Sequence, residues 1–159
     1  MAEDREDAVL PPCGLYRTTT RLGQLPAGRL VYFHNHGEPA PGVYVPESWT
    51  QNRVNFSREG IPIPGAWWAS TLDPVAPEGF YRVREEFHCC EKRCRTFVVD
   101  QLVQLAYTAE AEPLVFLPEI IDNQFVLPEE GNKIDRARVR CLAPLKLPTS
   151  SSSSQDHTP

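Results

Sequence analysis

The residues best suited to chemistry are gathered in one stretch, His88-Cys89-Cys90-Glu91-Lys92-Arg93-Cys94. Cys90 and Cys94 have C-x3-C spacing, within the range that zinc ligands use. His88 and Cys89 are the nearest further donors. Lys92, Arg93 and Arg95 would favour thiolate over thiol, which suits either a metal or a reactive cysteine. No second C-x2-C pair exists to complete a zinc ribbon, so a full site needs four donors packed into one loop or help from elsewhere. The chain has five cysteines, an odd number, so they cannot all pair with one another. The reading that asks least is of reduced thiols in a basic loop. The expectation is less than one equivalent of zinc per chain and no required cofactor.

His34-Asn35-His36 is the second candidate. Residues i and i+2 of a strand share a face, so His34 and His36 could present two imidazoles to one metal. With Gly28 ahead of it, this segment partly resembles the first cupin motif. It departs from that motif at Glu38 and Gly42, which follow too soon, and no second motif supplies a third His. The candidate metal set is therefore His34, His36, His88, Cys89, Cys90 and Cys94.

Residues for covalent catalysis are not arranged in any recognisable frame. Ser48, Ser57 and Ser70 lack a Gly-x-Ser-x-Gly setting, and no P-loop or Gly-x-Gly-x-x-Gly occurs. Glu85-Glu86 and Glu129-Glu130 read as solvated charges at a strand end and a turn. A non-catalytic protein is expected. Trp67-Trp68 is the strongest candidate for a partner contact, because exposed aromatics beside prolines are common interface material. Neighbours on a strand face opposite ways, so one indole is expected in a core and the other at the surface.

These groups are carried by a chain that repeats itself. Val43-Tyr44-Val45-Pro46-Glu47 returns as Val115-Phe116-Leu117-Pro118-Glu119, a displacement of 72 positions. Leu30-Val31 returns as Leu102-Val103 at the same displacement. One residue then drops out, and Asn52, Glu59-Gly60 and Ile63 match Asn123, Glu130-Gly131 and Ile134 at displacement 71. Upstream, Gly14-Leu15-Tyr16-Arg17 matches Gly79-Phe80-Tyr81-Arg82 at displacement 65. Self-similarity at a fixed period implies an internal duplication. The Cys loop falls where the second copy is longer: 19 residues separate Arg82 from Leu102, against 12 separating Arg17 from Leu30. It is therefore expected at a hairpin tip.

Tyr44-Val45-Pro46-Glu47-Ser48-Trp49 resembles the aromatic–aliphatic–Pro segment before the last strand of SH3 domains. Phe116-Leu117-Pro118-Glu119 is similar but lacks the final aromatic, and Trp67-Trp68 follows the Pro motif where SH3 domains place their Trp pair before it. The resemblance implies a small SH3-like barrel and transfers no ligand or binding residue.

Bulk composition agrees with a β fold. The 159 residues include 16 Pro and 9 Gly, which disfavour long helices. Apolar content is 41%, enough for a core. The short β-branched and aromatic runs at 16–22, 29–34, 43–45 and 53–56, separated by turn signals, read as strands. In the second copy, 80–87, 96–107, 114–117, 124–127 and 134–142 read likewise, with a short helix at 100–105 as an alternative. Net charge is −5, which disfavours phosphate binding, so no nucleic-acid partner is expected. No run reaches the length of a membrane span, and the acidic N-terminus is unlike a signal peptide. A soluble, cytoplasmic protein without a membrane partner is expected.

The expected fold is thus all-β: two small SH3-like or sandwich-like units packed with pseudo-two-fold symmetry. The boundaries are a flexible lead-in at 1–12, a first repeat at 13–63, a linker with the Trp pair at 64–77, a second repeat at 78–148 and a disordered, Ser-rich tail at 149–159. The expected function is that of a protein-binding scaffold or adaptor. The alternative is a zinc-binding protein or small metalloenzyme using His34, His36 and the Cys89–Cys94 loop.

Overall fold

The computed structural model describes residues 9–36 and 41–148. The Ser-rich tail and residues 1–8 of the lead-in lie outside the described residues. The protein is all-β. Among the described residues no helix is long and apolar enough to cross a membrane.

The first half opens with β1 (Gly14–Arg17), β2 (Leu30–His34) and β3 (Gly42–Tyr44). A hairpin of β4 (Pro46–Thr50) and β5 (Arg53–Phe56) follows, then β6 (Ile61–Pro62), a one-turn helix α1 (Ala66–Ala69) and β7 (Asp73–Pro74). The second half runs β8 (Gly79–Val83), β9 (Phe87–His88), β10 (Thr96–Phe97), β11 (Leu102–Tyr107) and β12 (Pro113–Phe116). It ends with β13 (Glu119–Ile121), β14 (Gln124–Val126), β15 (Asn132–Lys133), a 3-10 turn (Arg136–Cys141) and β16 (Leu142–Pro144). Two five-stranded sheets result, in the orders β6-β3-β2-β1-β7 and β15-β12-β11-β8-β16. The pairs β4-β5, β13-β14 and β9-β10 are separate two-stranded ribbons.

Alternation along the strands explains how each sheet buries one face. Tyr16, Val31, Phe33 and Val43 point into one core, which Trp68, Ala69 and Leu72 close. Tyr81, Val103, Leu105 and Val115 point into the other. The same local contacts recur in both halves. Tyr16 Oη donates to Pro12 O at 2.7 Å, and Tyr81 Oη to Pro77 O at 2.6 Å. A Cβ on Gly60 would come within 2.9 Å of the Tyr44 ring, and one on Gly131 within 2.7 Å of Phe116. Only glycine allows the chain so close to those rings. Both hairpin turns use two left-handed residues, Gln51-Asn52 and Asp122-Asn123, as a two-residue turn matching strand twist requires.

Several sequence expectations change. The first strand ends at Arg17, and the stretch to Leu22 is not an exposed strand. Thr18 is fully buried, with its hydroxyl donating to Pro26 O and its N–H to Arg29 O. Pro46 opens β4, because the first position of a short ribbon needs no donor. The β4 register shifts between Pro46 and Ser48, so Glu47 forms a bulge. The β13–β14 ribbon runs Glu119↔Val126 to Ile121↔Gln124 without such a shift, which accounts for the residue lost between displacements 72 and 71. β6 pairs with β3 and not with β5. The 100–105 segment is not helical. Asp100 is left-handed in a turn, and β11 begins at Leu102. The 134–142 segment is mainly a 3-10 turn. The 64–77 stretch is more than a linker: β7 completes the first sheet by pairing with β1, as β16 completes the second on β8.

Candidate functional site

The β4–β5 ribbon positions the first feature of interest. It leaves the first sheet and lies on the second. Its Trp49 Nε1–H donates to Tyr107 O at 3.0 Å, and Asn52 Nδ2 donates to both Gln104 Oε1 and Pro128 O at 3.0 Å. Gln104 answers by donating from Nε2 to Gln51 O. Val54 is buried in the cluster that includes Val103 and Leu105, and its N–H donates to Glu78 Oε2. Burial pushes the Glu78 carboxyl up, against the smaller opposing effects of that hydrogen bond and of Arg53. Tyr107 Oη donates to Ala76 O, and burial raises its pKa far above the ordinary phenol value, helped by Tyr81 and Glu78.

Among the described residues the β13–β14 ribbon is more open. Ile120 and Phe125 pair across it as Trp49 and Val54 do across β4–β5. Ile120 is 68% exposed and Phe125 53% exposed. One edge of Phe125 meets Phe80, with ring centroids 6.2 Å apart. A groove of about 770 Å³ runs between Phe125–Glu129 and the tip of the first ribbon at Gln51–Arg53, floored by Phe80 and Gln104. This surface could not be foreseen from residue type, because Ile120-Ile121 reads as core by composition alone.

The two Trp residues separate as expected, although a helix turn does it and not a strand. Trp68 is fully buried, and its Nε1–H reaches Thr20 O and Arg21 O at 3.2 Å. Trp68 therefore packs the first core and offers no contact surface. Trp67 is 40% exposed, with its ring laid against Gly65, where a Cβ would come within 2.9 Å.

The metal candidates form two separate groups. His34 and His36 sit with ring centroids 4.0 Å apart. They are joined by Cys13, whose Sγ lies 3.6 Å from His34 Nδ1, and the three donors lie within 4.8 Å of one another. Asn35 holds the thiol, its N–H donating to Cys13 Sγ and its Oδ1 accepting from it. Cys13 was missed in the sequence. Pairing of Gly14 with Phe33 sets it beside His34, a register that the matching Gly14 and Leu30 segments did not specify.

The second group is Cys89, Cys90 and Cys94, also within 4.8 Å. The β9–β10 ribbon places them at its tip as expected, with Phe87 stacked on Phe97 at its base. Cys89 is buried and Cys94 exposed. A hydrogen bond from Cys89 and one from the Lys92 backbone hold Cys90 below the ordinary thiol range, while bonding to Cys90 and its negative charge raise Cys94. His88 does not join them: its Nδ1 is 3.0 Å from Thr96 Oγ1. No known family, curated protein or solved structure matches the chain.

Proposed function

We propose that the chain is a non-catalytic, protein-binding scaffold built from two copies of one β-unit. The duplication is supported by the two sheets, whose strands follow one another in the same order, and by the recurring Tyr–Pro, Gly–aromatic and turn geometries. The ribbon of the first lies on the sheet of the second, and the ribbon of the second lies open.

One observation carries the binding function. Ile120 and Phe125 are exposed at the positions whose counterparts are half-exposed Trp49, which donates to Tyr107 O, and buried Val54, which packs in the second core. An aliphatic–aromatic ribbon of this kind is a docking element awaiting a partner of complementary β surface. Trp67, half-exposed on the first unit, is proposed as a separate aromatic contact. A large aromatic at an interface centre can contribute about 2 kcal/mol or more on truncation. The test is retention of a partner by the full chain carrying Phe125→Ser or Trp67→Ala. Capture should fall at least tenfold with the melting temperature nearly unchanged. Undiminished capture by both variants would refute the reading.

A further inference from the structure

The Cys89–Cys94 loop has a specific geometry. Three sulfurs from one short loop converge within 4.8 Å. Cys89 Sγ and Cys90 Sγ are 3.6 Å apart. Thiolates bind zinc at about 2.3 Å, so two of them on a tetrahedral ion lie about 3.8 Å apart. The sulfurs are thus already spaced for a shared cation.

The backbone supplies a second, independent observation. Arg95 N–H points at Cys89 Sγ at 3.3 Å. Amides aimed at sulfur stabilise thiolate ligands and fix their direction, the role that outer partners play in metal sites. Arg93 takes a left-handed conformation and its N–H closes a turn onto Cys90 O, which folds the loop back over the sulfurs. The loop is held from below, where Asp135 N–H donates to Cys89 O. Charge agrees as well. Three thiolates around a divalent cation leave one negative charge, and Glu91 adds another. Lys92, Arg93 and Arg95 in and beside the loop offset both.

We infer that Cys89, Cys90 and Cys94 bind one zinc ion as thiolates, with water in the fourth position. Binding releases the thiol protons to solvent and leaves the sulfur oxidation state unchanged. The site locks the β9–β10 tip, which the first half of the chain lacks.

The test uses the full chain without a polyhistidine tag, kept reduced, titrated with zinc against a chromophoric chelator. The expected result is stoichiometric zinc taken from the chelator with measurable proton release, and a sulfur-to-metal charge-transfer band when cobalt replaces zinc. Cys90→Ser with Cys94→Ser should abolish both, and Cys94→Ser alone, at an exposed position, should weaken uptake at least tenfold. A His34→Ala, His36→Ala variant should bind as the parent does. Metal-free melting curves confirm that each variant folds. Zinc left with the chelator, or uptake that survives the double Cys change, would overturn the assignment. So would uptake lost only in the His variant.

Discussion

Asn52 Nδ2 donates to Gln104 Oε1 at 3.0 Å, while Gln104 Nε2 donates back to Gln51 O. Gln104 is 2% exposed, one of two buried polar residues among those described. The pair ties the tip of the first ribbon to the central strand of the second sheet. Removing one partner of a buried hydrogen bond strands the other, at a cost of about 1–3 kcal/mol. Asn52→Ala and Gln104→Ala should each lower stability by that order in denaturant titrations. The double change should cost less than the sum of the two, since the single changes remove the same contact.

The two halves share one cluster: Leu30 and Val54 pack with Val103, Leu105 and Val115. Leu30 N–H also donates to Ala109 O at 2.8 Å. Units of about 75 residues have marginal cores of their own. Fragments 1–74 and 75–148 should therefore melt far below the intact chain, and mixing them should restore part of the loss. Fragments as stable as the whole would show independent units.

The paired Trp residues should respond oppositely. Trp68→Ala removes a fully buried ring from the first core and should cost about 3–5 kcal/mol. Trp67→Ala should change stability by less than about 1 kcal/mol. Chemical denaturation of the two variants checks the contrast.

Glu78 sets a pH dependence. Burial raises its carboxyl pKa in the folded state. The folded state then holds its proton more tightly than the unfolded one, so the favourable contribution is full below the ordinary carboxyl pKa. It is lost as pH rises through the elevated value. Glu78→Gln keeps an acceptor for Val54 N–H and removes the buried charge. It should raise the melting temperature at neutral pH, with the gain vanishing near pH 4, about the ordinary carboxyl pKa.

Much of this fold is legible in the sequence. The Val43–Glu47 and Val115–Glu119 repetition marks the third strand of each sheet together with the turn into each ribbon, and the extra length near residue 90 marks a hairpin tip. What escaped was long-range. That Pro46 opens a ribbon lying on the other sheet could not be read locally, because a strand that leaves one sheet to lie on another leaves no local trace. Trp68 could not be told from Trp67 until a helix turn set their directions. Cys13 reaches His34 only through strand register. Ile120 and Phe125 differ from core residues in surroundings, not in type.

The most direct test of partner binding through the second ribbon is site-specific photocrosslinking. A photoreactive phenylalanine analogue at position 125 of the full chain should form a discrete protein adduct in cells. Ile120→Glu in the same chain should abolish it, and the analogue at exposed Glu86 should give none. An adduct at position 125 that persists with Ile120→Glu, or no adduct beyond that seen at position 86, would contradict the account.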